Sequence, residues 1–510
     1  MYEIEIINEV SRITGLDKIK LGFPPPTMEG DLSTNAAMVS GTDPQKLASE
    51  LAALPQVGSA AVAGPGFVNI ALNPEIFRAE LAEMNLDPGS YGKGEEKRSV
   101  IFEMVSSNPT GPLHIGHGRG GAIGDSLARM YEKLGYGVFR EYYVNDAGRQ
   151  MKLLGESIYC AMRGVPGPAD GYRGSYITEI AEKLRGCSTP EECTVKAGDM
   201  ILGDHLDVLR KFKISYDNVF HETGLFEKGL VRKNVETLGS MGLTYESEGA
   251  LWFRSTAFGD SQDRVLRRKD GRLTYFASDC AYHLEKASRF DSAVNIWGAD
   301  HHGYTDRIRA FWEASGSGKD RELSILLYQL VDLKKGGEKV SMSTREGQFV
   351  TLEEVIDEVG SDAARFFMLM RSSDAPLEFD LDLAREQSRK NPVYYVQYSH
   401  ARVCSVFEKA GCSAQDVDLS AALPGPEEYP VIRVLARFPY MLRKCVELKA
   451  PHLMTEYLRD TATAFHKYYD TVRVLGSGER EHTRLALLSG VRSIIRNGLD
   501  LVGVSAPERM

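Results

Sequence analysis

Cysteine is scarce in this 510-residue chain: seven residues, Cys160, Cys187, Cys193, Cys280, Cys404, Cys412 and Cys445, scattered and odd in number. None forms a CxxC pair, and Cys187 and Cys193 have neither the spacing nor a nearby histidine for half a zinc site. Buried, reduced thiols and no zinc are therefore expected. No apolar run reaches the roughly 18–20 residues that a membrane helix needs, so no membrane association is expected. The start, Met1-Tyr2-Glu3-Ile4-Glu5-Ile6-Ile7, lacks the basic region, apolar block and small-residue site of a secretory signal. A cytoplasmic location is expected on that ground. Positive charge is also short, with 61 Lys and Arg against 71 Asp and Glu and a net charge of −10. That counts against a uniformly basic nucleic-acid-binding body but leaves a local basic stripe open. Internal repeats and low-complexity tracts are missing, which excludes repeat architectures.

What is present is the composition of a soluble globular protein, 43% hydrophobic and 26% charged. The length implies about three domains at roughly 100–200 residues each. Residues 1–90 read as a small α+β domain. In it Asp43-Pro44-Gln45-Lys46-Leu47 begins a helix, with Asp43 as N-cap and proline at the first helical position. The turn-rich, charged stretch from Asp87 to Arg98 is the first boundary.

Ser99 to Val105 is a short apolar run that reads as a buried strand. A loop holding Pro109, Gly111 and Pro112 follows, then a helix with Ile123, Leu127, Met130 and Leu134 on one face, closed by Gly135. Val138 to Val144 is the next strand. This βαβ order opens a doubly wound parallel sheet of Rossmann type, placed over residues 95–380. Residues 150–250 read as a helical insertion, and 385–510 as wholly helical. The predicted fold is thus multidomain α/β, with an α+β N-terminal part and an all-α C-terminal part.

His114-Ile115-Gly116-His117 falls where the loop meets the helix. A helix N-terminus offers free N–H groups and positive potential suited to phosphate. Two imidazoles there can donate hydrogen bonds to charge building on an attacked phosphorus, and Gly116 leaves room for a flat purine. A second segment, Lys334 to Gly347, is Gly-rich and mostly basic, suited to a clamp over a triphosphate.

Together the two segments resemble the HIGH and KMSKS signatures of class I aminoacyl-tRNA synthetases. The wider context is similar to arginyl-tRNA synthetases in particular: Ser107-Asn108-Pro109-Thr110-Gly111-Pro112-Leu113 before His114, Glu141 to Gly148, Thr274 to Asp279, Trp297 to His302, Asn391 to Tyr398, and the ending Ala506-Pro507-Glu508-Arg509-Met510. Gly30 to Asn35 and Ala63 to Asn69 are similar to that family's extra N-terminal domain.

The resemblance implies ATP with Mg²⁺, L-arginine and tRNA(Arg) as partners, arginyl-adenylate as the intermediate, and bound tRNA as a condition for activating arginine. A monomer is expected. It also implies site residues. His114, His117, Lys339, Ser343 and Arg345 are candidates for the chemistry, and Gly116, Gly298, Asp300, His301 and Met342 for ATP. Asn108 is expected to hold the amino acid end of the substrate, with Glu103, Tyr275 and Asp279 around its guanidinium. A planar fork of five donors suits carboxylates and a phenol oxygen. Tyr275 and Asp279, four apart on a predicted helix, share a face.

One departure stands out. The family pattern usually has lysine where this chain has Ser341, and often a second where it has Thr344. Lys339, or failing it Lys335, is expected to supply the missing charge, helped by Arg345. In the C-terminal part Tyr394, Gln397, Tyr398 and Tyr469 are expected to meet tRNA, with Tyr395, Phe465 and Tyr468 as further aromatic candidates for stacking on unpaired bases. Val396, His400, Val403 and Phe407 form a separate stripe assigned to the core. Alternatives that remain open are a cysteine or glutamate synthetase and a paralogue that binds tRNA without charging it.

Overall fold

The structure, a computed structural model, describes residues 2–25, 28–146, 148–339, 350–413, 417 and 422–510. The chain begins with the helix Tyr2–Thr14 and a four-stranded antiparallel sheet in the order Leu21–Gly22, Leu32–Thr34, Phe67–Leu72, Val57–Ala63. The helix Pro44–Ala52 packs on this sheet. It starts as the sequence requires, with the Asp43 carboxylate accepting the Gln45 N–H at 3.0 Å.

A five-stranded parallel sheet follows: β1 (Ser99–Met104), β2 (Gly137–Val144), β3 (Asn218–His221), β4 (Ser292–Gly298) and β5 (Glu322–Tyr328), in spatial order β5-β4-β1-β2-β3. The order reverses between β1 and β4, and the carboxyl ends of those two strands open onto the crevice where doubly wound sheets bind ligands. The stretch 150–250 is not purely helical. Helices α2 (Arg149–Met162), α3 (Ser175–Lys183) and α4 (Pro190–Lys211) form a trio around their own apolar cluster, but β3 then returns to the parallel sheet. Beyond it lies an antiparallel sheet of Thr244–Ser247, Ala250–Phe253 and Arg264–Arg267. β3 escapes sequence reading because four residues, Asn-Val-Phe-His, carry too little pattern.

Helix α1 (Ile115–Lys133) joins β1 to β2 and is buried nearly all round, not on one face alone. Its glycines explain how. A Cβ on Gly120 would meet the Tyr328 ring at 2.6 Å, one on Gly124 the Met104 side chain at 2.7 Å, and one on Gly118 Leu352 at 2.5 Å. Glycine inside a helix costs roughly 1 kcal/mol relative to alanine, offset here by close packing on several sides.

After β5 the chain forms a small sheet in which β6 (Val331–Lys335) pairs with the two-residue strand β7 (Glu338–Lys339) and with β8 (Leu377–Asp380). Helix α5 (Tyr275–Arg289) precedes β4, and α6 (Ser361–Met368) precedes β8. From Pro392 onward the regular elements among the described residues are helices, with α7 (Pro392–Ala410), α8 (His452–Thr471) and α9 (Arg480–Leu501) the longest. Val396, His400, Val403 and Phe407 are buried, as the stripe predicts. Among the described residues no helix is long and apolar enough to cross a membrane.

These parts meet at Arg365 of α6, whose side chain has no solvent exposure. Its guanidinium pairs with Asp125 of α1 at 2.6 Å and donates to the carbonyls of Phe212, just past α4, and Val502, at the end of α9. It fills the space a Cβ would need at Gly503, where φ is +69°. Removing one member of a buried pair typically costs about 3–5 kcal/mol, because the partner charge is stranded. Arg365→Ala should therefore lower the thermal melting midpoint markedly. Arg509→Ala, which breaks an exposed pair with Glu408, should cost less than about 1 kcal/mol and leave the midpoint nearly unmoved.

Candidate active site

The loop from Val105 to Leu113 leaves β1 through a strained turn. Ser106 N–H donates to Met104 O at 3.0 Å, while Val105 and Ser106 have φ of +69° and +44°. Positive φ at a β-branched residue costs on the order of 1–3 kcal/mol and persists only where surroundings enforce it. They do so here. Tyr142 Oη donates to Ser107 O at 2.8 Å, Tyr176 Oη donates to Thr110 O at 3.0 Å, and the His205 ring nitrogen Nε2 lies 2.7 Å from Gly111 O. Asn108 donates to Gln150 Oε1 at 2.7 Å on an exposed edge of this loop.

The loop delivers His114 and His117 to the start of α1 as a reciprocal cap. His114 Nδ1 accepts the Gly116 N–H at 3.1 Å, and His117 Nδ1 accepts the His114 N–H at 3.2 Å. The rings stack with centroids 3.7 Å apart. Burial depresses both imidazoles below the usual histidine range, His117 most, with His114 and His205 adding to its shift. Both rings are therefore neutral near pH 7. With each Nδ1 spent as an acceptor, the proton sits on Nε2, so each ring presents one N–H donor. Two neutral donors at a helix N-terminus suit an oxyanion without adding fixed positive charge.

Across the crevice β4 ends at Gly298. A Cβ there would collide with the Asp300 carboxylate. Asp300 and His301 are largely exposed, 3.6 Å apart, and Asp300 is near enough to His114 to oppose the fall in its pKa. Gly116 lies beneath the His114 ring, which a Cβ would meet at 3.0 Å.

On the other side of β1 lies an acidic pocket. Tyr275 and Asp279 share one face of α5, and the Tyr275 hydroxyl rests on Gly148, where φ is +102°. The Asp279 carboxyl is pushed up to about 8 by burial, then by the charges of Glu222 and Glu103. Glu222, just past β3, is itself raised, first by burial and then by Asp146, and its Oε2 is buried with no hydrogen-bond partner. Tyr143 is surrounded by the same carboxylates, which with burial drive its phenol well above the ordinary range. Glu103 differs from its acidic neighbours: its carboxylate is paired with the buried ammonium of Lys286. Among the described residues neither of these two acidic groups is in an ion pair, although the charges of Arg307 and Lys286 partly oppose the rise of Asp279, and the pocket favours a bound cation. Glu222 is not legible in the sequence, because the four residues of β3 carry too little pattern to mark a strand whose carboxyl end borders the site.

The basic segment is only partly within the described residues; Ser341, Met342, Ser343, Thr344 and Arg345 lie outside them. Its two ends are anchored beside the histidines. Arg119 of α1 is buried and donates to Gln329 O at 2.7 Å and to the Ser372 and Ala375 carbonyls at 2.9 Å, holding the base of β6. At the far end Leu352 N–H donates to Leu113 O at 2.8 Å and Thr351 bridges His114. Lys339 is exposed and pairs with Asp332 at 2.8 Å; Lys335 pairs with Glu358 at 2.8 Å.

In the helical part Tyr394 and Tyr398 are stacked on one side of α7, 6.1 Å apart and 7° from parallel, and Tyr398 stacks on His466. Arg402 lies over Tyr398 and Tyr469. These tyrosines are partly exposed. Gln397 points elsewhere, donating to Asp362 at 3.0 Å and Ser505 O at 2.9 Å. Tyr395 packs on His466. Phe465 and Tyr468 are buried core, not a surface platform.

Residues 3–72 match the family described as the arginyl tRNA synthetase N terminal domain, 81–159 and 199–377 the class I (R) tRNA synthetase catalytic domain, and 396–510 the DALR anticodon binding domain. Similar curated proteins include the arginine–tRNA ligases of Oleidesulfovibrio alaskensis, 43% identical over 97% of this chain and 96% of that one, and Nitratidesulfovibrio vulgaris, 44% identical with the same coverage. The Thermus thermophilus arginyl-tRNA synthetase structure shares the fold, with a TM-score of 0.81 at 22% identity over 99% of each chain. Near-full-length identity of this order, joined to paired histidines at the switch point and an unpaired acidic pocket beside them, establishes that the chain belongs to the arginyl-tRNA synthetase family.

Proposed function

We propose that this chain, an arginine–tRNA ligase, binds the guanidinium of L-arginine between Asp279 and Glu222, with the Tyr275 and Tyr143 phenols beside it and Glu103 adding to the field. The observation that carries the reading is a pair of acidic groups raised by burial in one pocket, neither of them in an ion pair among the described residues. A guanidinium fits two carboxylates and phenol oxygens through its fork of donors. An isostere lacking those donors would leave the carboxylates unpaired and be rejected by up to about 10⁴-fold.

ATP lies along α1, its α-phosphate at the Nε2–H groups of His114 and His117, its base over Gly116 and its ribose toward Gly298, Asp300 and His301. Asn108 holds the amino acid end of arginine, placing the carboxylate for attack on the α-phosphorus. Pyrophosphate leaves with the Mg²⁺ that arrives with ATP, which neutralises its charge. The 2′-hydroxyl of the terminal adenosine of tRNA(Arg) then attacks the arginyl carbonyl, and AMP leaves. The protein contributes positioning and charge stabilisation. Lys339 supplies the cation that Ser341 does not, since its exposed pair with Asp332 is worth about 1 kcal/mol or less and exchanges readily. Tyr394, Tyr398 and Tyr469, with Arg402 among them, offer stacking faces to unpaired anticodon bases. Gln397 supports this surface through Asp362 and Ser505. The three-part division at about residues 90 and 385, a cytoplasmic location and a monomeric state complete the reading.

Three measurements test it. With tRNA(Arg) present, His117→Ala should lower kcat for arginine-dependent pyrophosphate exchange by about 10²–10³, while His117→Asn, which keeps an N–H donor, should retain more. Asp279 must be ionised to pair with the guanidinium, yet in the empty site its carboxyl titrates at about 8. The arginine KM should therefore fall as pH rises toward 8, by at most about tenfold per unit, then level off. Asp279→Asn should raise that KM and flatten the slope, with the ATP KM little changed. Lys339→Ala should slow activation; unchanged exchange kinetics would sink its role.

A further inference from the structure

The pairing of Glu103 with Lys286 extends into a longer arrangement beneath the acidic pocket. Lys286, on the buried face of α5, has no solvent exposure. Its ammonium pairs with Glu103 Oε2, donates to Asn295 Oδ1 at 2.8 Å, and lies 4.1 Å from the centroid of the Tyr282 ring. The Asn295 side-chain amide donates to His283 Nε2 at 2.8 Å, and His283 Nδ1–H donates to the Asp279 carbonyl at 2.8 Å. Each link has a fixed direction. Lysine can only donate, so Asn295 must turn its oxygen to Lys286 and its amide to His283. That leaves the His283 proton on Nδ1 and aims it at Asp279. Burial holds His283 neutral, its pKa lowered to about 4.

The chain of contacts joins two members of the pocket. One end fixes the Glu103 carboxylate at the carboxyl end of β1; the other fixes the turn of α5 that presents Asp279. Burial alone would raise the Glu103 carboxyl, but the Lys286 charge outweighs it and holds the group below the usual carboxylate range. Glu103 Oε1 keeps only a 3.4 Å contact with Trp297 Nε1, on the strand that borders the crevice, so this oxygen retains acceptor capacity. Without Lys286, three acidic groups, Glu103, Glu222 and Asp279, would crowd one low-dielectric site with only the Arg307 charge to oppose them, which disfavours keeping all three ionised.

We propose that Lys286 is a positioning residue for arginine recognition: it keeps Glu103 charged and oriented for the substrate's cationic groups and braces the helix turn that carries Asp279. This rests on the reading that arginine enters the Asp279–Glu222 pocket, and Lys286 acts through Glu103 without touching the substrate.

The test compares Lys286→Met, the double variant Lys286→Met/Glu103→Gln, and Asp279→Asn in full-length protein. Thermal melting, pyrophosphate-exchange kinetics and arginine calorimetry in buffers of different ionisation heat provide the readouts. Lys286→Met should raise the arginine KM at least tenfold with the ATP KM within about twofold. It should also release more protons on binding arginine at pH 7 than the parent does, because Glu103 must then ionise on binding. The double variant, which buries no lone charge, should regain the melting midpoint lost in Lys286→Met but keep the raised arginine KM. A double variant with the parent arginine KM would overturn the proposal, making the pair a neutral spacer; so would a Lys286→Met protein with parental arginine KM and proton release. If Lys286→Met does not fold, the double variant decides alone. An arginine KM unmoved by Asp279→Asn would instead refute the pocket reading itself.

Discussion

Arg365 and Asp125 form the junction through which α1, the helical trio and the C-terminal helices hold a common geometry. The guanidinium spends its donors on a carboxylate of α1 and on carbonyls at the ends of α4 and α9. Arg129 and Arg140 also approach Asp125, at 2.8 and 3.6 Å, so a single buried carboxylate sits among three cations. Burying such a group is costly unless every partner is in place. The arrangement therefore tolerates few alternative dockings of the helical part on α1. Because α1 begins at His114 and His117, its seating also sets where the two imidazole donors stand.

Two electrostatic environments face each other across β1, and each suits one end of the reaction. On the α1 side burial keeps two histidines neutral, and their caps fix the tautomer, so the site donates hydrogen bonds without titrating near pH 7. On the α5 side burial works on carboxyl groups and raises them, Asp279 to about 8 and Glu222 in the same direction. The same physical term, loss of hydration, thus keeps the histidines uncharged on one side and raises the carboxyl groups on the other. Glu103 is held apart from this behaviour by Lys286, whose charge keeps its carboxyl below the usual range while those of Asp279 and Glu222 are raised.

The pattern of the chain disclosed much of this. The strand–loop–helix order from Ser99 to Gly135 and the helix start at Asp43 are local features, set by capping chemistry and periodicity that neighbouring residues carry themselves. The same locality made the buried stripe Val396, His400, Val403, Phe407 legible. β3 was not, since four residues without alternation become a strand only when a parallel partner is present. Glu222 went unseen with it. Phe465 and Tyr468 resembled Tyr469 in sequence, yet only the packing of α8 against its neighbours decides which aromatic ring is core and which reaches the surface.

The sequence by itself determined the βαβ opening, the histidine motif at the helix start and the family, because each depends on residues adjacent in the chain. Tertiary structure decided the electrical state of the site. Glu103, Glu222, Asp279 and Lys286 come from β1, the end of β3 and α5, as far as 183 positions apart between Glu103 and Lys286. Charge interactions and desolvation act through space, so which carboxylate is paired and which is raised by burial is fixed only once those elements pack together.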